Sequence, residues 1–413
     1  MQLQWPRESG RVNDRICSDS WKGYIDAVSA WASRQGFAGW DPYDALNSHV
    51  LRMVTRELPL LENLAIQVMK RSPVNLRRPL RVEKGRDVKG SALFAQAYAR
   101  LCEFRAINED RNHLLDCLNH LESTSLRGSV GFHCWASHYF KFRGADGGVL
   151  GPDVPDAIGT CEAIRALSAG YSATRERHWL DMAEDAAQFL VSELLEESQH
   201  GTYCKYHPAE TNRVVLNASA KALQALIELE QKSWKNPYDD CIRELARFIV
   251  QKQSLDGSWH YSEYSNGKKR IQLDFHQGYM VEALSAHVRN RSHHCDDRIR
   301  TALMNGASFY SSVMFTADGR SLYRPPANYP VDIHNQAQGI ITFSTLGFII
   351  PTYLDLALTI ADWTIRNMWV DRGYFIFRKY PILSNSIPYM RWNQAWMMLA
   401  LATLEDTAVK HPE

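Results

Sequence analysis

The sequence lacks the features that mark membrane, secreted and nucleic-acid-binding proteins. Its 413 residues carry a formal net charge of only +1, so there is no overall field for nucleic acid or an anionic membrane. No run of about 18 uncharged apolar residues is present, which predicts no membrane span. The first fifteen residues hold no apolar segment of signal-peptide length, and the eight cysteines form no CxxC pair. We therefore expect a cytoplasmic protein with reduced thiols.

Sequence signatures of cofactor and metal sites are also missing. There is no P-loop, no Rossmann glycine fingerprint and no G-x-S-x-G motif. His293, His294 and Cys295 stand together, but no spaced set of further ligands accompanies them. The sequence thus predicts neither a metal site nor a bound cofactor, and it leaves the oligomeric state open.

What the sequence does have is a repeat. Six segments, among them "GTCEAIRALSAG" and "HQGYMVEALSAH", share a small residue followed by an apolar, Ala- and Leu-rich stretch. These anchors are spaced by 69, 59, 58, 61 and 56 residues, enough for two helices and a connection each. The pattern predicts an all-α fold, an (α/α)6 toroid of six helical hairpins whose inner helices begin near the anchors. The anchors are Ala92, Cys161, Ala220, Gly278, Gly339 and Ala395.

The connections between helices follow a second regular pattern. Stretches such as "HGTYCKYHP", "DGSWHYSEYSNGKK" and "DRGYFIFRKYP" start with a turn and then alternate aromatic and polar residues. That alternation predicts short aromatic β-hairpins at one rim of the toroid. Residues 1–75 precede the first anchor and are predicted to form a helical cap on the toroid of residues 76–413, giving a single domain overall.

Two resemblances accompany these patterns. The stretch "FIVQKQSLDGSW" resembles the QW repeat of squalene–hopene cyclases, which are α/α toroids. Segments spread over residues 72–401, including "LDFHQGYMVEAL", "YPVDIHNQAQGI" and "RWNQAWMMLAL", resemble a helical-toroid family of bacterial capsule and O-antigen gene clusters. That family is similar in fold to six-hairpin glycosidases, to polysaccharide lyases and to the helical domain of uronyl C5-epimerases. The resemblance implies a role in bacterial surface polysaccharide metabolism.

Two polar clusters precede neighbouring anchors, and both are expected at the rim of the central cavity. Histidine, tyrosine and carboxylate side chains are the groups that move protons in enzymes. In each cluster the competing explanation is structural, with the histidine capping the helix and the aromatic ring packing in the core. The first cluster holds Asp274, His276 and Tyr279, and the second holds Asp332, His334, Asn335 and Gln338.

Further candidates lie near the second, fourth and sixth anchors. Arg391 could hold a carboxylate through a bidentate pair, and its alternative is a structural ion pair. Aromatic residues beside it and in the earlier repeats could form platforms for sugar rings, although core packing is the more common fate of tryptophan. Together with the polar residues His138 and Gln394, the candidates for substrate binding near these anchors are Trp135, Trp259, Tyr261, Tyr389 and Trp392.

The residue types indicate a class of reaction. A glycosidase needs two carboxylates across the scissile bond, which Asp274 and Asp332, or Glu162, could supply. Removal of the C5 proton of a uronic acid instead needs a His or Tyr base, a donor on the opposite face and a cation for the carboxylate. The clusters favour this second chemistry, a C5-epimerase or lyase acting on an anionic glycan. A glycosidase and a non-catalytic glycan-binding or assembly protein remain as alternatives.

Overall fold

The computed structural model describes residues 18–105, 107–143, 149–210, 212–232, 237–291 and 296–410. The predictions made for the first fifteen residues and for His293, His294 and Cys295 therefore lie outside the described residues. None of the helices described combines the length and the apolarity needed to cross a bilayer.

Six helices form a closed inner ring, because each packs on the next and the last packs on the first. Nearly every residue of these helices is buried, which is typical of helices enclosed on all sides. Five of them begin two to six residues before the predicted anchor, and the last begins at Trp396, directly after Ala395. A π-helical turn, Met390–Ala395, leads into the last one. The inner helices are α4 (Val88–Phe104), α7 (Ala157–Thr174), α9 (Leu216–Glu230), α11 (His276–Asn290), α13 (Ile333–Gly347) and α15 (Trp396–Lys410).

A second layer of amphipathic helices surrounds this ring. Each outer helix packs one apolar face on the inner helix of its own hairpin and leaves the other face to solvent. The two concentric rings confirm the predicted (α/α)6 toroid. The outer helices are α1 (Ser18–Arg34), α5 (Asn108–Ser123), α8 (Arg177–Phe189), α10 (Asp239–Gln251), α12 (Asp297–Met314) and α14 (Thr352–Met368).

Short antiparallel strands connect the hairpins. Two three-stranded sheets, β5–β6–β7 and β8–β11–β12, lead directly into α9 and α13, so they stand at the end of the ring where inner helices begin. The strands are β1 (Phe142–Arg143), β2 (Val149–Leu150), β3 (Leu195–Ser198), β4 (Gly201–Cys204), β5 (Arg213–Val215), β6 (Ser262–Tyr264), β7 (Lys269–Arg270), β8 (Val331–Asp332), β9 (Trp369–Val370), β10 (Tyr374–Phe375), β11 (Arg378–Lys379) and β12 (Ser384–Asn385).

The segment before the first inner helix has two parts. Helix α1 packs on α15 and so serves as the outer partner of the last inner helix. The following residues include α2 (His49–Thr55) and α3 (Pro59–Arg71), which share a small apolar cluster of their own around Ile66 and Met69. We call residues 41–83 the cap. The domain boundary at residue 75 remains a prediction, and α6 (Arg127–Val130) is a single turn outside both rings.

Hydrogen bonds define the repeat register more closely than the sequence did. In three repeats a glutamine of the inner helix bonds backbone groups in the preceding connection: Gln277 holds Trp259, Gln336 holds Ser321 and Gln394 holds Phe375. The residues that follow these glutamines are Gly278, Ala337 and Ala395. The fifth anchor is therefore Ala337 and not Gly339, and the last four spacings become 59, 58, 59 and 58.

Candidate active site at the mouth of the ring

The corrected register shows which side chains occupy one level at the start of the inner helices. The third residue before each anchor is equivalent in all six repeats. Three of these side chains contact each other: the Phe275 ring lies parallel to His334 with centroids 3.9 Å apart, and Trp392 meets His334 edge-on at 4.7 Å. We call this level the mouth ring; it comprises Lys89, Ile158, Asn217, Phe275, His334 and Trp392.

The His334 imidazole and the Tyr279 hydroxyl form a buried polar pair. Tyr279 Oη lies 3.0 Å from His334 Nε2, and both side chains are almost completely buried. Burial lowers the pKa of His334 well below its usual value and raises the pKa of Tyr279 well above its own, so both groups are neutral near pH 7. His334 Nδ1 has no hydrogen-bond partner among the described residues. One ring nitrogen is therefore available to a ligand.

His276 directly follows the mouth-ring residue Phe275 and is paired with a carboxylate. Its Nδ1 lies 2.5 Å from Asp274 Oδ1, and Gln272 bonds the other Asp274 oxygen at 2.7 Å. Burial raises the pKa of Asp274, but the charge and hydrogen bond of His276 outweigh it, so the net shift is downward. An ionised carboxylate on Nδ1 fixes the tautomer and leaves Nε2 as the reactive nitrogen.

Phe275 separates the two histidines. Its ring centroid lies 4.2 Å from that of His276, tilted by 30°, and 3.9 Å from that of His334, tilted by 13°. Two rings at such short, near-parallel distances cannot share one face of a benzene ring. The imidazoles therefore cover opposite faces of a slot that one six-membered ring fills.

Two buried lysines lie near this slot. The Lys221 ammonium stands 4.1 Å from the centre of the Tyr279 ring and 2.9 Å from Glu162. The Lys89 ammonium lies 5.2 Å from the centre of the Trp396 ring and makes no hydrogen bond or ion pair to any described residue. Burial, helped by the charge of Arg391, lowers the pKa of Lys89 to about 7. An unpaired amine close to its protonation midpoint thus adjoins the His334 side of the mouth.

The carboxylates near the axis are already bound to cations or amides. Glu162 contacts Lys221, Arg165 and Gln96, and Glu282 accepts hydrogen bonds from Gln224 and Gln338. Although burial opposes ionisation, these partners hold the pKa of both carboxyl groups below the usual range. Neither can serve as a protonated general acid near pH 7.

Arg391 and Asp332 are also committed to partners within the protein. Two nitrogens of Arg391 bond Asp41 of the cap, at 2.9 and 2.5 Å, and Asp87 lies 3.6 Å away. Asp332 caps α13 at the His334 N–H and binds Arg378 at 2.7 Å and the Trp392 indole at 2.9 Å. The predicted carboxylate clamp is thus an internal ion pair, and Asp332 acts as a helix cap.

The opposite side of the mouth carries His138, which also bonds a helix cap. Its Nδ1 lies 3.2 Å from Asp87 Oδ2, and Asp87 accepts the Gly90 N–H at the start of α4. His138 stacks on Phe140 with ring centroids 4.9 Å apart. His138 therefore has a different set of contacts from His276 and His334, and a role in binding substrate stays a prediction.

Two predicted sugar platforms are core residues instead. Trp135 and Trp259 are fully buried, and their indole N–H groups donate to Leu121 O (2.7 Å) and Ile249 O (2.9 Å) near the ends of α5 and α10. The two residues have the same structural role in different repeats: each donates a hydrogen bond to a carbonyl near the C-terminal end of an outer helix, where carbonyls lack a partner within the helix. This corrects the prediction that their rings bind substrate.

Four further candidates also serve the fold. Gln394 holds the backbone of Phe375, and Gln338 bonds Glu282 and Thr342. Asn335 accepts the Phe275 N–H and donates to Leu322 O, so it positions Phe275 without facing a ligand. Tyr389 lies beneath the cap, where Arg77 stacks on its ring at 4.7 Å. Two of the four keep a polar atom without a hydrogen-bond partner among the described residues, Gln338 Oε1 and Tyr389 Oη.

Tyr261 and Trp392 do lie at the mouth. The Tyr261 ring meets His276 edge-on at 4.9 Å, and a cavity of about 10 Å³ opens beside this pair, bounded also by Asn217 and Met280. A space of that size holds about one water molecule. On the other side, Tyr43 of the cap packs against Trp392 at 5.6 Å and Lys70 bonds the Tyr43 hydroxyl. The cap thus closes over the Trp392 side, and the small cavity lies on the His276 side.

Sequence reasoning missed Lys89, Phe275, Lys221 and Trp396. A register with Ala337 as the fifth anchor would have found the first two, because they are the mouth-ring residues of the first and fourth repeats. Lys221 and Trp396 directly follow their anchors, in the position that Tyr279 occupies in its own repeat. The missing signal was the alignment of the repeats and not the identity of any single residue.

Solved structures provide the comparison with known proteins, because no protein-family model and no curated protein matches the chain. The chain is similar to the GH76 α-mannanase of Bacteroides thetaiotaomicron, with a TM-score of 0.62, 14% identity and coverage of 78% of this chain and 86% of that one. For the cellobiose 2-epimerase of Bacillus thermoamylovorans the values are 0.62, 12%, 78% and 88%. For an unsaturated glucuronyl hydrolase specific for heparin they are 0.59, 12%, 78% and 86%. These similarities establish the fold, and the resemblance to a capsule-cluster family stays a prediction.

Proposed function

We propose that this protein is a carbohydrate-processing enzyme that removes and returns a proton on a sugar ring carbon. The observation that carries the proposal is the pair of imidazoles on opposite faces of one ring-sized slot, His276 and His334. Inversion at a carbon requires a base on one face and a proton donor on the other, which is what two such groups can supply.

The sugar would take the place of the Phe275 ring. Phe275 is only half-buried, so we propose that its ring turns outward past Tyr261, beside the small cavity, while its backbone stays held by Asn335. The neutral His334 then accepts the proton from carbon, and His276, carrying a proton on Nε2, donates it to the opposite face of the resulting carbanion. No bond other than C–H changes, so substrate and product are epimers.

The specific reaction we propose is at C5 of a uronic acid. Its C5 proton becomes acidic when a cation neutralises the neighbouring carboxylate. Arg391 is paired with Asp41, so we assign that role to Lys89, the unpaired ammonium near His334. A carboxylate beside Lys89 would raise the pKa of the amine and keep it charged. Where the oxygen on C4 is glycosylated, the same carbanion would instead break the C4–O bond and the expelled oxygen would take up a proton, which is the lyase form of the reaction.

Two alternatives are less well supported. Hydrolysis needs a carboxylic acid with a raised pKa opposite a second carboxylate, whereas Glu162, Glu282 and Asp274 are all held ionised by their partners. A purely glycan-binding protein would not need a neutral Tyr–His pair with an unused nitrogen. The named activities of the neighbours, an epimerase, a mannanase and a glucuronyl hydrolase, support carbohydrate processing in general.

The test is incubation with uronate-containing glycans in deuterated water. Epimerisation places deuterium at C5, which mass spectrometry and NMR detect, and elimination gives an unsaturated product that absorbs in the near ultraviolet. His276→Ala and His334→Ala should each abolish the label, whereas His178→Ala, an exposed histidine on α8, should not. New reducing ends without deuterium uptake would instead identify a glycosidase and refute the proposal.

A further inference from the structure

The outer face of the cap is an unusual surface for this protein. Of the eighteen large apolar side chains that are exposed in the described chain, nine fall between residues 50 and 74. Elsewhere such residues occur singly or in one adjacent pair, which is normal for a protein surface. A contiguous exposed apolar patch on paired helices instead marks a binding surface.

Helix α3 shows how the patch arises. Ile66 and Met69 face inward and pack on the cap's own cluster. Leu60, Leu64 and Val68 recur every four residues and are 84%, 59% and 51% exposed, so they form a second apolar stripe facing outward. Met53 and Val54 of α2 extend it, since α2 and α3 pack together. The cap therefore has two apolar faces and the ring covers only one.

Basic residues accompany this face. Residues 49–81 contain seven arginines and lysines against two glutamates, a net charge of +5 in a chain whose total is +1. Lys70 and Arg77 are turned inward, and Arg77 is neutralised by Asp44. The remaining five are exposed and form no ion pair with any described residue. They are Arg52, Arg56, Arg71, Arg78 and Arg81.

We propose that the cap face binds the surface of a membrane that contains anionic lipids. Apolar side chains flanked by arginines match an interface in which acyl chains lie beside negative head groups. A second copy of this chain fits less well, because a twofold contact would bring the same five arginines against each other. The protein would be held peripherally, with the mouth of the ring beside the bilayer, since Tyr43 and Lys70 join the cap to Trp392.

The proposal is tested by co-sedimentation of the full chain with vesicles. We expect binding to vesicles of phosphatidylcholine with 30% phosphatidylglycerol, little binding to phosphatidylcholine alone, and release by high salt because exposed charges are screened. Arg52→Gln, Arg56→Gln and Arg71→Gln together should weaken partitioning about 100-fold, at roughly fivefold for each basic residue near such a surface.

A matched pair of variants distinguishes vesicle binding through the cap face from nonspecific adsorption through other exposed apolar residues. Leu60→Glu with Leu64→Glu should abolish vesicle binding, whereas Leu255→Glu with Ile382→Glu, two fully exposed apolar residues elsewhere, should leave it unchanged. Equal loss in both variants, or equal binding to neutral and anionic vesicles, would overturn the proposal. A third result would also overturn it. If light scattering shows that the wild type is a dimer, the cap variant is a monomer and the wild type does not bind vesicles, a second copy covers this face.

Discussion

The two sides of the mouth satisfy their polar groups in different ways. On the α4–α15 side, Asp87, Arg391 and Asp41 form a buried ion-paired group that ties the cap to the ring. On the α11–α13 side, Tyr279 and His334 are neutral, and one imidazole nitrogen has no partner among the described residues. Buried charges that are fully paired fix a shape, whereas a buried polar group left unused is poised for a ligand.

The largest effect is expected on turnover, when the neutral pair of Tyr279 and His334 is disrupted. His334→Ala should lower turnover by about 10²- to 10⁴-fold, the usual contribution of a general acid or base. Tyr279→Phe removes only the hydroxyl and should lower turnover less, because the imidazole remains. Steady-state kinetics on the substrate found by deuterium exchange measures both. Full activity in the double variant of His276 and His334 would leave these side chains with a packing role alone.

Breaking the charged side should affect stability instead of chemistry. Asp41→Asn leaves the buried Arg391 guanidinium without its closest counter-charge, which should cost about 3–5 kcal/mol in the free energy of unfolding. The control is Asp181→Asn, which breaks the exposed pair with Arg177 and should cost no more than about 1 kcal/mol. Urea denaturation compares the two. Similar losses in both would mean that the cap is not held by this ion pair.

Lys89 belongs to α4 on the charged side but has no ion-pair partner among the described residues, and the dependence of stability on pH tests its protonation state. Its pKa in the folded protein is lowered to about 7, mainly by burial, against roughly 10.4 in an unfolded chain. Between those values the unfolded chain binds more protons, so the free energy of unfolding should rise with pH from about 7 to about 10, by at most ~1.4 kcal/mol per pH unit. Below pH 7 this contribution is constant.

Lys89→Met should remove that rise, and Lys268→Met, an exposed lysine beside β7, should preserve it. Urea denaturation at several pH values between 7 and 10 measures the slope for each protein. Lys70, whose pKa burial lowers to about 8, contributes equally in all three and cancels from the differences. If the free energy of unfolding rises equally with pH in the wild type and in Lys89→Met, Lys89 is not an unpaired buried amine.

These contrasts also explain how far the sequence could lead. The toroid was predictable because small residues and Ala–Leu stretches recur at a period that two helices fill, and each copy reports the same packing. The pairing of Arg391 with Asp41 was not predictable, because the two residues are 350 positions apart and no local sequence pattern indicates their contact. His276 and His334 could be proposed from their chemistry, but Phe275 between them was overlooked because an aromatic residue before a buried helix resembles core.

The register error has a physical origin as well. Gly339 was the natural choice as a small residue, and it does approach a neighbour closely, since a Cβ there would lie 2.4 Å from the Phe315 ring. The equivalent position is defined by the Gln336 side chain, which bonds the backbone of the preceding connection. A small residue can be needed at several positions of a crowded ring, whereas the glutamine that bonds the preceding connection marks one equivalent position in the repeats that contain it.

The smallest effect should come from the tryptophans, and it separates core from mouth. Trp135→Phe and Trp259→Phe each remove an indole N–H near the end of an outer helix, which leaves Ile249 O without a donor and Leu121 O with only the Thr124 hydroxyl at 3.3 Å. Each should lower the free energy of unfolding by about 1–3 kcal/mol, with turnover unchanged. Trp392→Phe removes a bond to Asp332 and alters the edge that packs on His334, so it should lower turnover too. A loss of turnover in Trp135→Phe equal to that in Trp392→Phe would mean that the two regions are not separable, because the core and the mouth would then respond as one unit.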